Sequence, residues 1–218
     1  MDYPIVLALE DFVPTFLGLT GFALLGRLAP TPLAGRAGLA GAILIGAGGV
    51  SKCVWKLVYA TGIGDWKIFE QSLFPLMAAG AALLSWALAV AVRRGARTHF
   101  WPFAVAYAVG AAGSLAAGSL HPMFVVATFG VTAVSVLGAV VAGRYQQWWA
   151  ISLFVLGLVL VTSLVPLRQS PQHETLAYQW LEQSLNTSAQ AALLVAAWLT
   201  VRASRRTREE EAEAKAIA

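Results

Sequence analysis

Two lysines lie within an apolar stretch that is long enough to cross a bilayer, and they are the residues most suited to chemistry. Lys52 and Lys56 are one helical turn apart in the stretch 38–60. A cation at that depth costs roughly 2.5–3.5 kcal/mol on insertion scales, so each ammonium needs a partner or water. Trp55 and Tyr59 share their helical face by the spacing i, i+3, i+4, i+7. We therefore expect a polar site with aromatic walls here.

Three glutamates are the expected counter-charges. Glu10, Glu70 and Glu182 each stand near the start of an apolar segment, where a helix dipole favours an anion by several tenths of a kcal/mol. One interpretation is that they are only helix-start residues at the membrane interface. The other is that they neutralise the lysines, because an unpaired buried charge is costly. We expect Lys52 to lie within ion-pair distance of at least one of the three.

A polar stripe marks the last apolar segment. Glu182, Asn186 and Gln190 recur every four residues, so on a helix they form one row about 12 Å long at a rise of 1.5 Å per residue. Such a row facing lipid would leave polar groups unpaired. Asn and Gln also join membrane helices by hydrogen bonds of about 0.6 kcal/mol each, which is the structural alternative. Because Gln183 and Thr187 widen the stripe, we favour the wall of a hydrated pocket.

The composition indicates what kind of molecule must position these residues. The chain has 218 residues, of which 58% are hydrophobic and 12% charged, and its mean hydropathy is +0.69. Soluble domains carry about 25% charged residues, so this composition predicts a multi-pass protein of the cell membrane, with the lipid bilayer as a partner. The formal charge of +4 is explained by membrane topology, so no nucleic-acid partner is expected.

Seven apolar segments follow one another, and they predict an all-α polytopic membrane protein with seven transmembrane helices. The segments cover 5–28, 38–60, 69–92, 100–119, 121–142, 147–166 and 176–201. Gly118 and Pro122 predict a turn between the fourth and fifth segments, and Pro166 predicts the end of the sixth. Residues 1–201 would form the transmembrane domain, and 202–218 a charged tail.

Basic residues are concentrated on one side of this arrangement. The loops after the first, third and fifth segments, together with the tail, hold eleven of the fifteen Lys and Arg residues. Cytoplasmic loops are enriched in these residues, so the N-terminus is predicted outside and the C-terminus in the cytoplasm. The three glutamates then lie in the outer half of the membrane.

Segments three and seven share a short sequence. Glu-Gln-Ser-Leu begins at Glu70 and again at Glu182, an offset of 112 residues. The same offset superposes segments one to three on five to seven and leaves segment four as a linker, which predicts a 3+1+3 parallel internal repeat. Chance or shared membrane composition is the alternative explanation, because the match outside segments three and seven is poor.

The sequence contains no signature of catalysis. His99, His121 and His173 fall on connections or segment ends, and His99 is predicted on the opposite side of the membrane from the other two, so no metal site is expected. No nucleophile elbow, zinc-protease motif or phosphate-binding glycine loop occurs. Seven helices and a buried lysine resemble retinal proteins in architecture, but those carry the Schiff-base lysine on the seventh helix, and segment seven here has no lysine. We expect no enzymatic activity and no cofactor.

The sequence favours a polar pocket that faces outward between segments one, two, three and seven. The expected ligand-binding residues are Glu10, Lys52, Trp55, Lys56, Tyr59, Glu70, Glu182, Asn186 and Gln190. Such a site suits a small zwitterionic or anionic solute, and a transporter is the favoured class. The alternatives are a seven-helix sensor or receptor, and an accessory subunit that joins a homo-oligomer or a membrane partner subunit. The uniformly apolar inner halves of the segments count against transport.

The predicted orientation can be tested by cysteine labelling. A cysteine introduced at Ser170 should react with an impermeant thiol reagent in intact cells, and one at Ser204 should not, because the two positions fall on opposite sides of the membrane. The reverse labelling pattern would invert the topology and place the three glutamates in the inner half.

Overall fold

The computed structural model describes residues 4–95, 97–171 and 175–217, without the side chains of 165, 168 and 169. In this part of the chain all regular secondary structure is α-helical. The helices are α1 Ile5–Glu10, α2 Phe12–Gly26, α3 Pro32–Ala60, α4 Lys67–Gln71, α5 Leu73–Val92, α6 Trp101–Ala117, α7 His121–Arg144, α8 Trp148–Gln169 and α9 Leu176–Ile217.

Two of the apolar segments are each divided into a short helix and a long one. The first is interrupted at Asp11 and the third at Ser72. A proline removes one backbone donor, and its ring clashes with the carbonyl four residues earlier. Pro14 and Pro75 act in this way on the carbonyls of residues 10 and 71, where the short helices end. Both breaks therefore follow from prolines in the sequence, and both lie near residues of the expected site.

Five helical stretches are long and apolar enough to cross a membrane. They are Ile5–Gly26, Pro32–Ala60, Lys67–Val92, His121–Arg144 and Leu176–Ile217, while Trp101–Ala117 and Trp148–Leu164 are shorter apolar helices. The protein therefore has the helices of a membrane protein. The predicted total of seven spans stays a prediction.

Six of the long helices form a closed ring. Helix α2 packs on α3, α3 on α5, α5 on α7, α7 on α8, α8 on α9, and α9 returns to α2. Helix α6 lies outside this ring, against α5 and α7. Small residues allow the closest approaches: a methyl group on Gly41 of α3 would lie 2.5 Å from the carbonyl oxygen of Gly80 on α5. The ring is therefore held partly by direct backbone contact.

Apolar side chains fill one half of the ring, where α2 ends and α3 begins. Leu25, Ala42, Leu84, Leu88 and Ala142 are buried there in a single core, together with Ala150, Ala196 and Ala197. Between membrane helices such side chains stabilise the structure by van der Waals contact, because lipid is as apolar as the core. This half contains the packed core, and the expected polar residues lie in the other half.

Several helix ends differ from the sequence prediction. Helix α3 begins at Pro32 instead of near 38, because the Thr31 hydroxyl accepts a hydrogen bond from the Ala34 backbone N–H and so caps the helix. The predicted end at Pro166 is wrong, since α8 continues through Pro166 to Gln169. Membrane helices tolerate an internal proline where side chains, water or neighbouring helices satisfy the freed backbone groups. The turn predicted between segments four and five is present, with Gly118 at φ 59°.

The last helix includes the charged C-terminal residues. Helix α9 continues 42 residues to Ile217, and the side chains beyond Thr207 are exposed. Ser204 is buried, so a cysteine there would stay unlabelled from either side. Ala212 is exposed and is therefore the informative position near the C-terminus for the labelling experiment.

Candidate functional site

A cavity of about 490 Å³ lies inside the ring, in the half where α2 begins and α3 ends. All six ring helices contribute to its wall, whereas no residue of α6 does. The sequence analysis expected walls from segments one, two, three and seven. The structure adds α7 and α8.

An ion pair stands at the polar end of the cavity. Lys56 Nζ of α3 contacts the carboxylate of Asp11, which sits at the break between α1 and α2. Gln183 of α9 donates a hydrogen bond to the other carboxylate oxygen of Asp11. The two charged side chains are only 21% and 12% exposed, so water screens their attraction weakly. The pair therefore joins three helices around one carboxylate.

The backbone at Asp11 is also fixed by side chains. The Thr15 hydroxyl donates to the Asp11 carbonyl oxygen at 2.9 Å, and the Cys53 thiol does so at 3.3 Å. Thr15 Oγ1 and Cys53 Sγ are also 3.3 Å apart. Because α1 ends at Glu10, these two side chains help to determine where the Asp11 carboxylate points.

Two buried oxygen atoms lack a hydrogen-bond partner among the described residues. One is Glu10 Oε2, whose companion Oε1 accepts a hydrogen bond from the Thr187 hydroxyl at 2.8 Å. The other is Gln190 Oε1, which lines the cavity. A methyl group on Gly18 would lie 2.7 Å from this Gln190 oxygen. Buried polar atoms are normally hydrogen-bonded, so both oxygens indicate a site for a donor group.

The structure brings five of the nine predicted residues to the cavity. They are Lys52, Lys56, Glu182, Asn186 and Gln190. The polar stripe on α9 thus faces the interior of the ring and not lipid. The pairing of Lys52 with one of the three glutamates stays a prediction.

The other four predicted residues lie outside the cavity lining. Glu10 accepts a hydrogen bond from the Thr187 hydroxyl. Glu70 is exposed on the short helix α4. The Trp55 indole donates to Asp65 Oδ1 at 2.9 Å and stacks on Tyr59 at a ring distance of 6.0 Å. At 100° per residue, Trp55 is about 60° around the helix from Lys52. The side chains of this aromatic pair do not line the cavity.

The sequence analysis underestimated Asp11 and the walls from α7 and α8. The sequence analysis predicts a site role for Glu10 and not for its neighbour Asp11, although Pro14 marks the helix break at Asp11. On α7, Thr128, Thr132 and Ser135 recur at helical spacing along the wall. Each donates its hydroxyl to its own helix, at 2.9, 2.9 and 3.2 Å. Hydroxyl groups that bond to their own helix carry no charge, so the sequence does not show that they line a cavity.

Towards the packed core the cavity becomes apolar. Phe22, Phe154 and Leu193, which also belong to the packed core, line this end. The lining of α2 runs from Asp11 to Phe22, eleven residues or about 16 Å of helix. The cavity is therefore amphiphilic, with charges at one end and aromatic rings at the other.

The charged part of the lining is electrically balanced. Asp11 and Glu182 supply two carboxylates, and Lys52 and Lys56 supply two ammonium groups. In the described part of the chain, no group of three His, Cys, Asp or Glu side chains could hold a metal ion. The arrangement suits recognition of a ligand by charge and shape.

Comparison with known proteins adds no assignment. No protein-family model, no curated protein and no solved structure matches this chain. The functional argument therefore rests on the cavity itself.

The ion pair can be tested by thermal unfolding of the purified protein. Asp11→Asn should lower stability by about 3 kcal/mol, because removal of one partner leaves a poorly hydrated charge on Lys56. Asp11→Asn combined with Lys56→Met should recover part of the loss through coupling between the two sites.

The matched control is Asp65→Asn. Asp65 is 3.8 Å from Lys67 in an exposed pair, and such pairs contribute about 0–1 kcal/mol. Equal destabilisation by Asp11→Asn and Asp65→Asn would contradict a special role for the buried pair.

Proposed function

We propose that the protein is a multi-pass protein of the cell membrane that binds a small zwitterionic or anionic solute in its outward-facing cavity. The observation that carries this proposal is the amphiphilic lining, with Asp11, Lys52, Lys56 and Glu182 at one end and phenylalanines at the other. A zwitterion with an apolar group fits both ends. We propose a non-enzymatic role.

The charge balance favours a zwitterion over a single ion. A carboxylate on the solute could bind the lysines, and an ammonium could bind Asp11 or Glu182. A solute with only one charge would disturb a lining that is already neutral, which is costly in a weakly polar cavity. The volume of about 490 Å³ is within the usual range of about 300–1,000 Å³ for small-molecule sites.

The proposal includes seven spans with the N-terminus outside and the tail in the cytoplasm. Helix α6 has 17 residues and α8 has 22, or about 26 and 33 Å of helix. These lengths compare with about 30 Å for the hydrocarbon core. The length of α8 and the basic loops at the packed end of the ring support this topology. The shorter α6 would be accommodated by local thinning of the bilayer.

The order of the helices supports a 3+1+3 repeat. In the ring, α2, α3 and α5 are followed by α7, α8 and α9, and α6 stands outside. A twofold axis along the ring would exchange the two sets of three. The shared Glu-Gln-Ser-Leu sequence does not give equivalent site residues, because Glu70 is exposed on the short helix α4 while Glu182 lies within α9 and lines the cavity.

A sensor is the second candidate, and the packed core favours it. Side chains such as Leu84, Leu88 and Ala196 are completely buried at the inner end of the ring. A sensor needs access from one side only, whereas a carrier must open this core.

Uptake of radiolabelled phenylalanine into proteoliposomes would favour the carrier, and binding without uptake would favour the sensor. An accessory subunit would show neither.

Binding can be tested with three matched probes. Phenylalanine carries both charges, 2-phenylethylamine only the positive one, and 3-phenylpropanoate only the negative one. At 100 times its Kd a ligand stabilises the folded protein by about 2.7 kcal/mol, so phenylalanine should raise the melting temperature most. Equal effects of all three probes, or no effect of any, would refute zwitterion recognition.

Residue controls keep this experiment specific. Lys52→Met combined with Glu182→Gln should leave a folded protein without the phenylalanine shift, because both neutralised side chains line the cavity. Glu70→Gln should keep the shift, since Glu70 is exposed outside the lining. Retention of the shift by the double variant would favour a purely structural role for these charges.

The space beside Gly18 gives an independent test. Gly18→Ala should push Gln190 into the cavity, because the new methyl group would lie 2.7 Å from Gln190 Oε1. Displacement of Gln190 by this methyl group should weaken phenylalanine binding roughly tenfold, as measured by titration calorimetry. Gly35→Ala is the control, since its methyl group would meet no atom within 4 Å. Unchanged affinity in Gly18→Ala would place the binding site elsewhere.

A further inference from the structure

A second concave site lies at the opposite end of the ring from the cavity. It is a groove of about 400 Å³ between the end of α2 and the middle of α9. Its lining consists of Leu24, Arg27, Trp198, Val201, Arg202, Arg205, Arg206 and Glu209. None of these residues lines the first cavity.

The groove is strongly basic. Four guanidinium groups and one carboxylate line it, which gives a formal charge of +3. Among the described residues, none of the four arginines forms an ion pair with a carboxylate. Arg202, Arg205 and Arg206 recur at i, i+3 and i+4 on α9, so they point to the same side of the helix. The groove thus presents several guanidinium donors in one direction.

An apolar surface borders these arginines. Leu24 and Val201 belong to the apolar parts of α2 and α9, and Trp198 lies one turn before the first arginine. The Arg202 guanidinium stands over the Trp198 ring, 5.3 Å from its centre. Tryptophan at this boundary is typical of the membrane–water interface. The groove therefore crosses the level at which lipid head groups meet acyl chains.

We propose that this groove binds the head group of an anionic phospholipid from the leaflet that the charge distribution predicts to be cytoplasmic. The guanidinium groups would donate paired hydrogen bonds to the phosphate oxygens. The acyl chains would lie against Leu24 and Trp198. A soluble phosphate would satisfy the arginines but not this apolar border. Basic pockets between membrane helices on the cytoplasmic side are a known form of lipid recognition.

The test is native mass spectrometry of the full-length protein in detergent with added phosphatidylglycerol or phosphatidylcholine. We expect the protein to retain phosphatidylglycerol preferentially. Arg202→Gln combined with Arg206→Gln should weaken phosphatidylglycerol binding roughly 30-fold, on the basis of two lost cations at the membrane surface. Arg202→Lys combined with Arg206→Lys keeps the charge but loses the paired hydrogen bonds, so its affinity should lie between those of the native protein and the Gln variant.

The matched control is Arg93→Gln combined with Arg97→Gln. Both arginines are exposed in the loop between α5 and α6 and do not line the groove, so this variant should bind phosphatidylglycerol like the native protein. An equal loss in the control variant would show only a general surface-charge effect and overturn the proposal. Equal retention of phosphatidylcholine would also overturn it.

A competition with inorganic phosphate separates lipid from soluble anion. If millimolar phosphate displaces phosphatidylglycerol completely, the groove is a simple anion site and the lipid proposal fails. If phosphatidylglycerol stays bound, the apolar border contributes as proposed. These results do not depend on the outer cavity, so the lipid proposal and the proposed function are tested independently.

Discussion

A charge inside an apolar ring of helices needs a counter-charge close to it. In this protein the Asp11–Lys56 ion pair provides that neutralisation. Its effect extends beyond two residues, because Gln183 of α9 binds the same carboxylate. Three helices therefore meet at one anion at the polar end of the cavity. Loss of either charge would remove this partner from the other in a poorly hydrated place. The rest of the polar wall is arranged around this fixed point.

The position of the pair depends on an interrupted helix. In an uninterrupted helix, residues 10 and 11 would lie on different faces. Their backbone groups would form hydrogen bonds within that helix. Pro14 ends α1 at Glu10, and Thr15 and Cys53 then bind the Asp11 carbonyl. Local backbone chemistry thus decides which of two adjacent acids reaches Lys56. The same chemistry at Pro75 sets Glu70 apart on α4, away from the lining.

Much of the architecture could be predicted from the sequence, because hydropathy and turn residues act locally. Helical character, the apolar segments and the turn at Gly118 all follow from such signals. The row of Glu182, Asn186 and Gln190 was also predictable as one face. The partner of Lys56 was not, since it depends on how α2 and α3 pack. The contributions of α7 and α8 were missed because apolar side chains and hydroxyls bonded to their own helix look the same in a wall as in a lipid-facing surface.

Helix α9 has a mechanical consequence. It runs for 42 residues, contains neither glycine nor proline between Leu176 and Ile217, and so lacks the usual causes of a kink. Gln190 in the cavity wall is separated from Lys215 by 25 residues, about 38 Å along the helix. A rod of that length amplifies rotation: a tilt of about 10° at the cavity displaces its far end by roughly 7 Å. One continuous helix therefore connects the wall of the cavity mechanically to the charged C-terminal surface beyond the packed core.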